Sequence, residues 1–265
     1  MLVANARMYG GVPGAVEAWR AFFAWLAEAS GVGLTVIDHA YPAPLAALWE
    51  RGDLGCAFMC GYPFMMGTHR PRPLAAPVPA AARYGGRPVY ATDFAVRADS
   101  NYTTLADTFG CRLGYTVDSS QSGFNAVRHH LLRYRDASRP RLYRESIGGL
   151  HTPRRVVEAL LEGRIDVGPL DSYAFELMRY HEPALAAEVR IVESTALSPA
   201  PFLVAGRDCP DETVDRLRSA LLGFDGGRLG EAVCLAGFAP VSVPNYEILL
   251  DRAREAEAAD YAVPG

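Results

Sequence analysis

Three hydroxyls and a glycine, Ser119, Ser120, Ser122 and Gly123, stand between a strand-like segment that stops at Asp118 and an amphipathic run that opens at Gly123. A helix opening here leaves its first backbone N–H groups unpaired and partly positive, which makes a seat for an anion. Serine hydroxyls add donors toward oxyanion oxygens, and Gly123 lets a ligand approach the backbone. The same serines also suit plain helix capping. Neither Ser120 nor Ser122 follows a glycine two positions back, so the Gly-x-Ser-x-Gly elbow of serine hydrolases is absent.

His151 follows Gly148-Gly149-Leu150 and directly precedes Thr152-Pro153, a pair suited to start a helix. A histidine there can donate to an anion, or stand solvated in its loop. Asp171 ends an apolar strand in PLDSY, where a carboxylate is costly to bury without a partner. It suits a ligand ammonium or an internal arginine. His129 and His130 are adjacent, so they point to different faces of a helix, and neither HExxH nor paired CxxC occurs. No metal or cofactor is expected.

All 26 basic residues are arginine, which excludes Schiff-base, P-loop and kinase-type lysine chemistry. The net charge of −4 gives no support to a nucleic-acid partner. The eight arginines between Arg128 and Arg155 read as a solvated basic face. Cys56, Cys60, Cys111, Cys209 and Cys234 are odd in number and lack CxxC spacing, as buried free thiols of a reducing compartment do. No window is apolar enough to span a membrane. The start, MLVANARMYGG, lacks the pattern of a secretory leader, so the sequence as written reads as cytoplasmic, and as periplasmic if an upstream leader was removed.

The elements that must hold these residues alternate between helix and strand, the pattern of α/β architecture with largely parallel sheets. Val16, Trp19, Phe22, Phe23, Leu26 and Ala27 form one helical stripe ahead of Gly31. Strands are expected at 34–40, 54–59, 89–97, 111–117, 165–170, 190–194 and 201–206, with helices at 44–51, 123–135, from 153, 211–224 and 246–259. The proline-rich stretch 70–88 reads as an irregular connection. ALWERGDLGCAF (47–58) echoes ALLEGRIDVGPL (159–170), and each strand empties into a tyrosine-bearing loop, Cys60-Gly61-Tyr62 or Asp171-Ser172-Tyr173. Two such units fit a two-lobed protein.

The succession GDLGCAFMCGYPF, VYATDFAVRADS, LADTFGCRLGYTVDSSQSGFNAVRHHLL, GGLHTPRRVVEALLEGRIDVGPLDS and PVSVPNYEIL resembles the phosphate/phosphite/phosphonate-binding components of ABC transporters. The resemblance implies the type 2 periplasmic-binding fold: α/β, two Rossmann-like lobes with mixed, mostly parallel sheets joined by two crossover strands. These crossings are expected near 90–97 and 190–197, giving a discontinuous first lobe of 1–92 and 196–265 and a second of 93–195. It further implies that Ser120, Gln121, Ser122 and Gly123 meet an oxyanion, with His151 beside them. Tyr62 would line the cleft from the first lobe and Asp171 from the second. Gln121 stands where the family usually has threonine. The implied function is capture of a small oxyanion, phosphonate- or phosphate-like, for an ABC permease or sensor, without direct membrane insertion.

An alternative from another class is a cytoplasmic enzyme on the same fold, like menaquinone-pathway dehydratases or thiamin-pyrimidine synthases. There His151 and Asp171 would be the acid and base, aided by Ser120.

Overall fold

The computed structural model describes residues 1–68 and 70–265. The chain divides into two compact units, Met1–Val89 with Pro199–Pro244, and Tyr90–Ser198 with Asn245–Gly265.

In the first unit six strands run in the order Leu235–Ala239, Arg72–Pro79, Phe202–Ala205, Leu54–Met59, Leu2–Asn5, Leu34–Val36. Leu54–Met59 is buried at all six positions, the pattern of a strand covered on both faces. Helix Pro13–Ser30 starts with proline in its first turn and stops at Gly31, whose φ of 63° is the left-handed conformation that glycine adopts without a Cβ penalty. Its apolar stripe forms the expected core: Trp19 meets Phe58 edge-on at 5.0 Å, and Phe22 meets Phe224 and Phe238 at 5.4 and 5.5 Å. Burying each such ring contributes about 1.5–3 kcal/mol.

In the second unit Val189–Ser194, Thr92–Arg97 and Gly168–Asp171 form an antiparallel sheet with Thr92–Arg97 at its centre. Arg112–Gly114 and Glu145–Ile147 pair in parallel beside it. Phe94, Val96, Leu113, Val127, Leu131 and Val167 make the core under the helix that carries the serine turn.

The sheets are mixed, but antiparallel pairs predominate over the parallel ones expected. The returning strand Phe202–Ala205 inserts antiparallel between Leu54–Met59 and Arg72–Pro79, and both ladders of the second unit's main sheet are antiparallel. The stretch 70–88 is not an irregular connection throughout. Arg72–Pro79 is a strand paired on both sides, and register shifts in both pairings accommodate prolines that cannot donate to the ladder. The chain passes between units after Val89, Ser198 and Pro244. Residues 245–265, expected with the first lobe, belong instead to the second unit. Helix Glu247–Ala258 is tied there: His129 Nε2 lies 2.9 Å from Glu255, and Leu142 N–H donates to the Gly265 carbonyl.

Candidate functional site

The serine turn is a β-turn closed by Ser120 N–H donating to the Val117 carbonyl at 2.9 Å. It runs straight into one turn of π-helix, Gln121–Asn125, then α-helix Ala126–Leu131. In the π turn Asn125 N–H reaches the Ser120 carbonyl at 3.0 Å, a wide geometry found disproportionately at functional sites. Ser120 is the cap: its Oγ accepts from Gly123 N–H at 2.9 Å. Capping and a ligand role are compatible at Ser120, since the hydroxyl proton remains to be donated.

Ser122 differs. Its hydroxyl has no partner among the described residues, although the residue is only 7% exposed. The backbone N–H groups of Gln121 and Ser122 precede the first intrahelical bond and likewise find no acceptor there. Two amides and a hydroxyl at one helix start form a small, positively polarised nest.

Gln121 faces inward. Its Oε1 accepts from Asn125 Nδ2 at 2.9 Å, and Asn125 Nδ2 also donates to the Leu249 carbonyl at 3.0 Å. Asn125 Oδ1 accepts from Arg128, whose guanidinium also donates to the Ala262 carbonyl and stacks 4.7 Å from the Phe124 ring centroid. The side chain expected to meet an oxyanion is therefore hydrogen-bonded within the helix. Only its backbone N–H is presented at the helix start.

Gly123 is required by contact. A Cβ there would meet Thr116 Oγ1 at 1.9 Å and two Thr116 carbons at 2.8 Å. This packing seats the helix start on the segment 115–117 that follows strand Arg112–Gly114. Thr116 Oγ1, Gln121 Nε2 and Arg128 Nε are buried side-chain atoms without a hydrogen-bond partner, so the polar groups around the turn are under-satisfied.

The backbone of 115–116 gathers the other segments of the second unit. Gly149 N–H donates to the Thr116 carbonyl at 2.9 Å and Leu150 N–H to the Tyr115 carbonyl at 3.3 Å, which brings the His151 loop to the turn. His151 itself is exposed with φ of 60°, a left-handed conformation uncommon for a side-chain-bearing residue. Thr152 caps the next helix by accepting from Arg155 N–H, as its sequence predicts. On the other side Thr92 Oγ1 donates to the Ser122 carbonyl at 2.8 Å, and Thr92 pairs in register with Asp171. The structure thus brings the backbones of the serine turn, the His151 loop and the Asp171 strand together.

Asp171 has a defined local job. Its Oδ1 accepts from Tyr173 and Ala174 N–H, both at 3.0 Å, capping helix Ser172–His181. The tyrosines expected in loops stand instead in first helical turns, because each strand runs directly into a helix. Tyr62 is buried in Gly61–Met66 of the first unit, and Tyr173 in Ser172–His181. The first unit also holds a cavity of about 140 Å³ at the carboxyl ends of its parallel strands, lined by Asn5, Arg7, Trp19 and Ile37 among others. Thr116 and Asn125 escape sequence reading, because a threonine just past a strand and an asparagine in a helix carry no signal of what lies across from them.

Among the described residues no set of His, Cys, Asp and Glu converges as a metal site, and no helix is long and apolar enough to cross a membrane.

Mixed sheets covered by helices in two units, with a hydroxyl-bearing helix start at a strand's end, define a substrate-binding protein of the periplasmic type. The family model described as the periplasmic substrate-binding protein of phosphonate ABC transporters matches residues 13–246, and the chain belongs to that family. Its members are periplasmic. The fold is similar to that of a binding-protein component of an ABC phosphonate transporter from Pseudomonas aeruginosa, at 14% identity and a TM-score of 0.79 over 98% of this chain and 87% of that one. It is also similar to PhnD1 from Prochlorococcus marinus in complex with methylphosphonate, at 13% identity and a TM-score of 0.77 over 97% and 98% of the two chains. The alkanesulfonate-binding protein SsuA from Xanthomonas axonopodis pv. citri, bound to MOPS, aligns at 16% identity and a TM-score of 0.61 over 99% and 95%. No curated protein matches the chain.

Proposed function

We propose that this protein captures a small tetrahedral oxyanion, a phosphonate or a close relative, at the serine turn of its second unit and delivers it to an ABC permease. The observation that carries the reading is the unpartnered Ser122 hydroxyl beside the free N–H groups of Gln121 and Ser122. Ser120 contributes its remaining proton while its oxygen caps the helix. The solved structures with methylphosphonate and a sulfonate-bearing buffer bound support an anion with a three-oxygen head. In this reading His151 borders the ligand, whereas Gln121 supplies its N–H rather than its amide. Asp171 acts by capping its helix, so its carboxylate is committed to backbone donors. That commitment weakens the case for Asp171 as the acid or base of an enzyme.

The test is a thermal-shift series with methylphosphonate, phosphate, phosphite, sulfate and methanesulfonate. A ligand present at about 100 times its Kd should add about 2.7 kcal/mol of stability. A protein indifferent to all five would not be an oxyanion binder of this kind.

A further inference from the structure

A second group of basic side chains lies along the helix that follows the serine turn. Helix Ala126–Leu131, the segment 195–196 and helix Glu247–Ala258, all of the second unit, enclose a pocket of about 260 Å³ lined by His129, His130, Arg133, Thr195, Arg252 and Glu255 among others. Most of these basic side chains already have carboxylate partners. His129 Nε2 lies 2.9 Å from Glu255 Oε2 and His130 Nε2 lies 2.7 Å from Glu193 Oε1. Arg133 also pairs with Glu193. Arg252 is the exception. Its guanidinium donates to two neutral oxygens, Ser198 Oγ at 2.6 Å and the Leu197 carbonyl at 3.5 Å, and among the described residues no carboxylate lies within ion-pair distance.

A partly buried guanidinium with no carboxylate in contact is poorly solvated by water, and Glu255 attracts it only through space. Burial lowers the Arg252 pKa, although the guanidinium remains charged at any physiological pH. Of its five N–H donors, the two hydrogen bonds leave others for a ligand. Arg133, more than half exposed, adds further donors, and the imidazoles of His129 and His130 line the same pocket. Glu255 opposes an anion; its carboxylate lies 2.9 Å from His129 Nε2 and also attracts Arg252.

We propose that this pocket is a second binding site, for a small inorganic oxyanion of the size of phosphate or sulfate, with Arg252 as its anchor. The ion would bridge helix Ala126–Leu131, the segment 195–196 and helix Glu247–Ala258. The site does not depend on the serine turn, and the two are separable by position.

Amide NMR of the isotopically labelled full chain, titrated with inorganic phosphate, tests it. Saturable shifts are expected at His129, Thr195, Ala196 and Arg252, including the Arg252 side-chain N–H. Arg252→Gln should weaken these at least about tenfold, as loss of a charged hydrogen-bond donor requires, while Ser122→Ala leaves them unchanged. Shifts confined to residues 120–123 would overturn the second site and leave the first intact; shifts confined to the pocket would do the reverse. If Arg252→Gln does not fold, His129→Glu places a carboxylate at the half-exposed rim, and wild-type phosphate affinity in that variant would overturn the proposal.

Discussion

The side-chain amide of Asn125 donates to the main-chain carbonyl of Leu249 at 3.0 Å, joining the turn-bearing helix to a residue 124 positions later in the chain. Asn125 is fully buried, and the same side chain binds Gln121 and Arg128. Asn125→Ala should leave the Leu249 carbonyl and the Arg128 guanidinium short of partners. A loss of about 2–3 kcal/mol in urea unfolding is expected. A change below about 0.5 kcal/mol would mean the network is not holding the helix.

Ser120 and Ser122 should separate cleanly. Ser120→Ala removes a cap that accepts from Gly123 N–H, so stability should fall by about 1 kcal/mol. The Ser122 hydroxyl has no partner among the described residues to lose. Ser122→Ala should therefore leave the melting temperature nearly unchanged and weaken methylphosphonate binding by about 1–3 kcal/mol, read by calorimetry. Equal affinity in Ser122→Ala and wild type would remove Ser122 from the site.

At Gly123 the prediction concerns space. Gly123→Ala drives a methyl into Thr116 Oγ1 and its neighbouring carbons, an overpacking expected to cost about 1–3 kcal/mol or more. Thr116→Ala in the same chain removes two of the three clashing atoms and should recover part of that loss. Two independent, additive losses would argue against the contact.

Asp171→Ala should destabilise by about 1–2 kcal/mol, because Tyr173 and Ala174 N–H lose their acceptor. Asp171→Asn keeps an acceptor oxygen and should recover most of it. If ligand affinity falls tenfold in Asp171→Asn with stability intact, the carboxylate meets the ligand after all.

Acid should loosen the second unit through His130 and Glu193. Burial lowers the His130 pKa, outweighing the bond to Glu193 that raises it. Burial raises Glu193, but hydrogen bonds from Tyr134 and His130 prevail and the net direction is down. Both groups hold protons less tightly folded than unfolded. Their contribution is present above the unfolded values, about 6.5 and 4.3, and is lost as pH falls through the lower folded ones. Urea unfolding at stepped pH should show stability declining from below about 6.5. The decline between neutrality and pH 5 should shrink in His130→Gln; an identical slope would acquit His130.

Local order was legible where one element suffices to define it. Helix Pro13–Ser30 announces itself through its apolar stripe and Gly31, and Leu54–Met59 through an unbroken apolar run. Thr152 and Pro153 start their helix because a cap acts over three residues. The serine turn at 119–122 is visible for the same reason: hydroxyls before an amphipathic run mean a helix start whatever surrounds it. What pairs with what was decided elsewhere. Arg72–Pro79 looks irregular because its prolines cannot donate, yet neighbours on both sides supply a ladder that tolerates them. Helix Glu247–Ala258 carries no mark of which unit it joins, and its place depends on a carbonyl at Leu249 meeting Asn125. Gln121 reads as a ligand donor by its position, but its side chain follows the nearest buried partner, Asn125 four residues on. Spacing along the chain determines caps, stripes and turns, because their energetics are local. The direction of a polar side chain is a contest between partners brought together only by the fold, and here the tertiary structure decided it.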